Sequence, residues 1–153
     1  MSDHSLSCYI EAPTPQTLNL KADLHADFYE IGGTTPTNII KCNQAAQVKV
    51  KIDFGGSDLA RALCLKWCVK LAFEGCGQAP EGSLDVKWVE QKVCEKSCVE
   101  ATIDIPANYF PCVAANCGDV YLICLTVVGF DSCGKPIPYA GYCKGGSIMV
   151  FPA

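Results

Sequence analysis

Leu18-Asn19-Leu20-Lys21-Ala22-Asp23-Leu24-His25-Ala26-Asp27-Phe28-Tyr29 alternates apolar and polar side chains without a miss. Successive side chains of a strand point to opposite faces, so this period of two predicts a strand that buries Leu18, Leu20, Ala22, Leu24, Ala26 and Phe28 and wets the other face. A helical reading uses Leu20, Leu24, Phe28 and Ile31 and explains fewer residues.

The same period recurs downstream. Gln47 to Phe54 sets Val48, Val50, Ile52 and Phe54 against Lys49, Lys51 and Asp53, and Gly55-Gly56-Ser57-Asp58 breaks the run. Leu63, Leu65, Trp67, Val69, Leu71 and Phe73 alternate with Cys64, Lys66, Cys68, Lys70, Ala72 and Glu74, which turns Cys64 and Cys68 outward and places Trp67 as a core pin. Gly75 to Ser83 reads as a turn, after which Leu84, Val86 and Trp88 begin a returning strand, and Val99, Ala101, Ile103 and Ile105 supply another. From Asp119 to Phe130 nearly every residue is apolar, with Cys124 expected as a small core hydrophobe. Both faces of that strand want cover, one from the core and the other from a partner surface or from shielding loops. Asp131 to Gly146, rich in Gly and Pro, reads as a loop before a last strand, Ser147 to Phe151. About eight strands with turn signals between them and no helical pattern predict an all-β fold: a single antiparallel β-sandwich, immunoglobulin-like or jelly-roll, over residues 18–153. Residues 1–17, with Pro13, Pro15 and Cys8, read as a flexible N-terminal arm whose natural docking mode is strand addition at a sheet edge.

A chain of 153 residues is long enough for one domain with a real core, which does not need cross-links to fold. Its net charge of −4 comes from interspersed signs and offers no basic footprint for nucleic acid and no polybasic arm for anionic lipid. No apolar stretch approaches the roughly 20 residues that span a bilayer. With only two histidines, His4 and His25, a Cys-His or Ser-His-Asp nucleophile has almost no material, and neither a phosphate loop nor a GxGxxG is present, so neither an enzyme nor a cofactor is expected. Asp23, His25 and Asp27 share a strand face, but alternate strand residues sit nearly 7 Å apart and no further ligand is evident, so that face is read as solvated.

Twelve cysteines dominate what remains, half of them in the close pairs Cys64/Cys68, Cys94/Cys98 and Cys112/Cys117. Residues i and i+4 of a strand lie about 13 Å apart and a disulfide needs Cα atoms within about 7 Å, so Cys64 cannot bond Cys68. A hairpin centred on Gln78 and Ala79 would bring Cys64 near Cys94, and Cys112 and Cys117 could close on each other across their loop. The disulfide candidates are Cys8, Cys42, Cys64, Cys68, Cys76, Cys94, Cys98, Cys112, Cys117, Cys133 and Cys143. A zinc site would draw on Cys94, Cys98, Cys112 and Cys117, although their spacings are not those of the CxxC knuckle. The segment Met1 to Cys8 has neither the basic start nor the apolar run of an export signal, so cytoplasmic synthesis is expected, and cross-linking would follow release or assembly outside the reducing cytosol.

Leu59-Ala60-Arg61, Lys66-Trp67-Cys68, Glu74-Gly75, Pro80-Glu81-Gly82, Asp131-Ser132-Cys133-Gly134-Lys135-Pro136 and Ala140-Gly141-Tyr142 together resemble small uncharacterised bacterial β-sandwich domains of immunoglobulin-like type, over about residues 40–153. That resemblance implies a fold and no activity. In general logic, without a shared motif, a cysteine-rich sandwich is also similar to subunits of disulfide-linked bacterial spore appendages. The expected function is a non-enzymatic, self-assembling structural subunit with intra- and intermolecular disulfides, its partner a second copy or another protein. The alternatives are a recognition module that binds through Gly75 to Ser83 and Asp131 to Gly146, and a zinc-stabilised intracellular protein.

Overall fold

The computed structural model describes residues 6–11, 22–33, 35–54, 65–76, 81–91, 98–111 and 118–152. Among them the chain forms ten strands and no helix: β1 (Ser7–Glu11), β2 (Asp23–Glu30), β3 (Ile39–Lys41), β4 (Ala46–Asp53), β5 (Lys66–Gly75), β6 (Gly82–Ser83), β7 (Lys87–Glu90), β8 (Cys98–Ile105), β9 (Asp119–Phe130) and β10 (Pro136–Phe151). β2, β4 and β8 make a three-stranded antiparallel sheet, and the other seven make a second sheet in the order β1-β10-β9-β5-β6, with β7 also on β5 and β3 also on β10. One pairing departs from the antiparallel expectation, since β3 runs parallel to the end of β10, with Ile39 beside Met149.

The inward residues of both sheets feed one apolar cluster, an arrangement consistent with a β-sandwich. Leu24, Ala26, Phe28, Val48, Val50 and Ile52 come from the small sheet, and Trp67, Val69, Leu71, Phe73, Tyr121, Ile123, Leu125 and Val127 from the large one. Trp67 is completely buried, packs edge-on against Tyr139 at 5.2 Å and against Phe54 at 6.2 Å, and donates its Nε1–H to Gln91 Oε1 at 3.3 Å. The core pin read from the alternation of β5 is therefore a core pin with its one polar atom partnered. Described strands coincide with the expected runs at β2, β4, β8 and β9; Leu18 to Lys21 and Leu63 lie outside the described residues.

Three expectations are corrected. The stretch Asp131 to Gly146 is not a long loop: only Asp131 to Lys135 turns, with Asp131 Oδ1 accepting from the N–H groups of Cys133 and Lys135 at 2.9 Å each, and Pro136 onward belongs to β10. Gly134, at φ +77°, serves that turn, whereas Gly141 and Gly146 serve close approach. A side chain at Gly141 would stand 2.5 Å from the Tyr9 carbonyl oxygen, and Gly146 leaves the notch that Leu6 fills. The segment read as a free arm contains β1, which adds to the edge of β10 within the same chain, from Ser7 beside Lys144 to Glu11 beside Ala140. The returning strand that was to begin at Leu84 is split into β6 and β7, and its phase puts Val89 inward beside Trp67 and Trp88 outward beside Cys68.

Candidate functional site

Period two gives each sheet an outer face as well as an inner one, and the two outer faces differ. On the small sheet, Asp23, His25, Asp27 and Tyr29 of β2 lie beside Asp53, Lys51, Lys49 and Gln47 of β4, which lie in turn beside Cys98, Glu100, Thr102 and Asp104 of β8. Lys51 reaches Asp53 at 4.0 Å and Lys49 sits 4.5 Å over the Tyr29 ring. His25, Asp27, Lys49, Lys51, Glu100 and Thr102 border a shallow cavity of about 260 Å³. This is a solvated ladder of mixed charges, in which Asp27 and His25 each lie beside a lysine and Asp23 lies beside Asp53. Among the described residues no three His, Cys, Asp or Glu side chains are grouped to hold a metal ion.

The outer face of the seven-stranded sheet carries exposed aromatic and aliphatic side chains interleaved with Lys66, Lys70 and Glu74 of β5, Glu90 of β7, Thr126 of β9 and Lys144 of β10. Tyr9 of β1 lies beside Tyr142 of β10 with ring centroids 5.2 Å apart, and these rings are 52% and 46% exposed. Ile39, Met149 and Val120 continue the surface on β3, β10 and β9 and are all exposed. At the opposite side Trp88 of β7 stands edge-on to Phe130 at 4.9 Å, with Lys66 Nζ 5.1 Å over its ring. Between them lie Leu122, Cys124 and Val128 of β9 and Cys68 and Ala72 of β5, each half-buried, together with the exposed pair Thr126 and Lys70 in the row of Tyr142. The doubly apolar reading of Asp119 to Phe130 is explained here: one face is core, and the other belongs to this surface.

The cysteines separate into three groups. Cys8 and Cys143 face each other across the β1–β10 pair, with Cα atoms 4.0 Å apart, and form a disulfide that joins positions 135 residues apart. Cys42, on the core side just after β3, is also disulfide-bonded. Cys68, Cys76, Cys98, Cys124 and Cys133 are free. Burial pushes the Cys68 thiol above its usual range against the pull of Lys70, so it carries less thiolate and less reactivity than an exposed cysteine. Cys124 is not the core residue expected from its apolar neighbours, because its place beside Ala72 turns it to the outer face. Cys76 and Cys133 are exposed in the turns after β5 and β9. Cys64, Cys94, Cys112 and Cys117 lie outside the described residues, and with them the expected pairs Cys64/Cys94 and Cys112/Cys117 and three of the four zinc candidates.

One cavity of about 240 Å³ opens where Phe73, Glu81, Tyr109, Phe110 and Tyr121 meet. Burial, then Asp119 and Tyr109, hold the Tyr121 hydroxyl above its ordinary pKa, and this hydroxyl and that of Tyr139 are buried without a hydrogen-bond partner. Glu81 is the one carboxylate among the lining residues, with no His, Cys, Ser or Lys beside it there. No family model matches the chain, and no curated protein matches it.

Sequence reasoning missed Tyr9, Tyr142 and Trp88 as parts of one surface. Tyr9 lay in a segment read as an arm, Tyr142 in one read as a loop, and Trp88 in a strand of the wrong phase. The signal available was the second apolar face of β9, which required cover without saying which neighbours shared the need.

Proposed function

We propose that the chain is a single antiparallel β-sandwich, of the immunoglobulin-like or jelly-roll kind that its resemblance to small bacterial sandwich domains implies, and that it serves as a non-enzymatic structural subunit assembled with covalent help from disulfides. The distribution of its cysteines carries this reading. One bonded pair, Cys8–Cys143, fastens the N-terminal strand to the last strand inside the subunit. Two exposed thiols, Cys76 and Cys133, stand in turns at opposite ends of the ten-residue strand β5, about 30 Å apart along the sheet. Thiols placed at two ends support head-to-tail linkage, which yields an open chain of subunits rather than a closed dimer. Each link would form by transfer of two electrons and two protons from the Cys76 thiol of one subunit and the Cys133 thiol of the next to a low-molecular-weight disulfide, which leaves as two thiols.

The test is intact mass and nonreducing electrophoresis of natively isolated protein after its free thiols are trapped with an alkylating reagent. The expected result is protection of Cys8, Cys42 and Cys143 from labelling and bands at multiples of 16.4 kDa that collapse on reduction and disappear in Cys76→Ser and Cys133→Ser. Labelling of nearly all twelve cysteines in a monomer overturns the reading.

A further inference from the structure

The exposed apolar side chains of the large sheet do nothing for the subunit's own core, which is complete on the sheet's other side. Trp88 and Tyr142 are each 46% exposed and Met149 39%, yet they share one continuous face with Cys68, Cys124 and Val128. Contiguous apolar surface of several hundred Å² on a soluble domain marks a contact site. Five adjacent strands, β1-β10-β9-β5-β7, about 4.8 Å apart and, at β5, ten residues long, present roughly 700 Å² in all, the charged residues of the face included. A stable interface of ordinary size takes about 800 Å² from each partner, so this face alone nearly suffices.

Charge decides between occupants. Lys41, Lys66, Lys70 and Lys144 share the face with Glu11, Glu74 and Glu90, a difference of one charge, so neither sign dominates and a copy of the same face meets it without strong net repulsion. An anionic lipid surface or an acidic partner would call for an excess of lysine that is absent. Two identical pleated faces also have the same strand spacing and twist, which lets them stack aligned about 10 Å apart, as the two sheets of a sandwich do.

We propose that the outer face of the seven-stranded sheet is a homodimer interface, in which two copies pack face to face with Trp88, Tyr142 and Met149 buried between them and the thiols of Cys68 and Cys124 covered. This inference rests on the reading of the chain as an assembly subunit and names the partner and the surface. The contact is isologous and non-covalent, distinct from the thiols at the ends of the sheet, so a chain of linked subunits would become a double one.

The test uses the full chain carrying Cys76→Ser and Cys133→Ser, which removes the end-to-end links, so this contact is judged separately from the disulfide reading. Sedimentation equilibrium up to about 100 µM is expected to give twice 16.4 kDa, with a dissociation constant in the micromolar range. Trp88→Glu and Tyr142→Glu, made separately on exposed positions and checked for an unchanged circular dichroism spectrum, are each expected to raise that constant at least about 100-fold. Thr102→Glu, on the charged face, is expected to leave it unchanged. Alkylation of Cys68 and Cys124 should slow several-fold as the dimer forms. A monomer at about 100 µM overturns the proposal, as does a dimer that survives both glutamate variants. Binding of the monomer to phosphatidylcholine vesicles in place of dimerisation overturns it in favour of a lipid surface.

Discussion

The two sheets turn the same kind of face inward and different mixtures outward. Inside, β4 and β5 both present aliphatic and aromatic residues to one core; outside, β4 shows Gln47, Lys49, Lys51 and Asp53, whereas the large sheet shows Tyr9, Tyr142, Trp88 and Met149. Burial inside a subunit explains only the inner faces. The difference between the outer ones teaches that one sheet is finished by water, while the other exposes the aromatic side chains that the proposed face-to-face contact would bury.

The sharpest way to probe this comparison is to make the same substitution on the two faces of one sheet. Trp67→Ala, on the core side, should cost about 3–5 kcal/mol in urea unfolding, because it empties a fully buried site packed on Phe54 and Tyr139. Trp88→Ala, on the neighbouring strand and outer face, should cost the monomer under about 1 kcal/mol while weakening association. Equal costs would break the division between the faces.

The staple behind the large sheet comes next. Cys8→Ala with Cys143→Ala removes a cross-link closing a span of 135 residues and should lower stability by about 2–5 kcal/mol, read as the shift in unfolding midpoint against the oxidised parent. Gly141→Ala attacks the same strand sterically, since its Cβ would meet the Tyr9 carbonyl 2.5 Å away; a loss of about 1–3 kcal/mol is expected, with amide exchange quickened in β1 before β9. If β9 exchanges first, β1 is not the element that the glycine accommodates.

Alkali should act on the core. Burial pushes the Tyr139 phenol up to about 12 from 10.0, so it loses its proton later in the folded chain than in the unfolded one. The corresponding stability is fully present below pH 10 and is lost as pH rises from there through about 12, an effect of up to about 2 kcal/mol. Tyr139→Phe should flatten that limb of the stability profile and cost little at pH 7, since the hydroxyl it removes has no partner. The smallest effect belongs to the charged ladder: Lys51→Ala removes a 4.0 Å exposed ion pair with Asp53 and should change stability by less than about 0.5 kcal/mol and association not at all.

How far the sequence could be read follows from the range of each signal. Val48, Val50, Ile52 and Phe54, or Leu65, Trp67, Val69 and Leu71, announce their strand and its buried side because alternation is a steric property of each residue's own backbone. Pro136 to Gly146 failed as a strand because glycine and proline are turn formers by local preference, while here Gly141 and Gly146 make room for Tyr9 and Leu6, residues more than a hundred positions earlier. Cys124 was misplaced for a related reason: in a strand apolar on both sides, the pattern does not say which side is the core.

From the sequence alone came the all-β class, the buried side of β2, β4, β5 and β8, the charged outer side of the small sheet and the demand of β9 for cover on both faces, all set by residues near one another in the chain. Only the tertiary structure decided that β1 lies on β10, that Cys8 meets Cys143, and that Tyr9, Tyr142, Trp88 and Met149 form one surface. Strand pairing and register are long-range choices, settled by which complementary faces and cradles meet when the whole chain is collapsed, and no local periodicity encodes them.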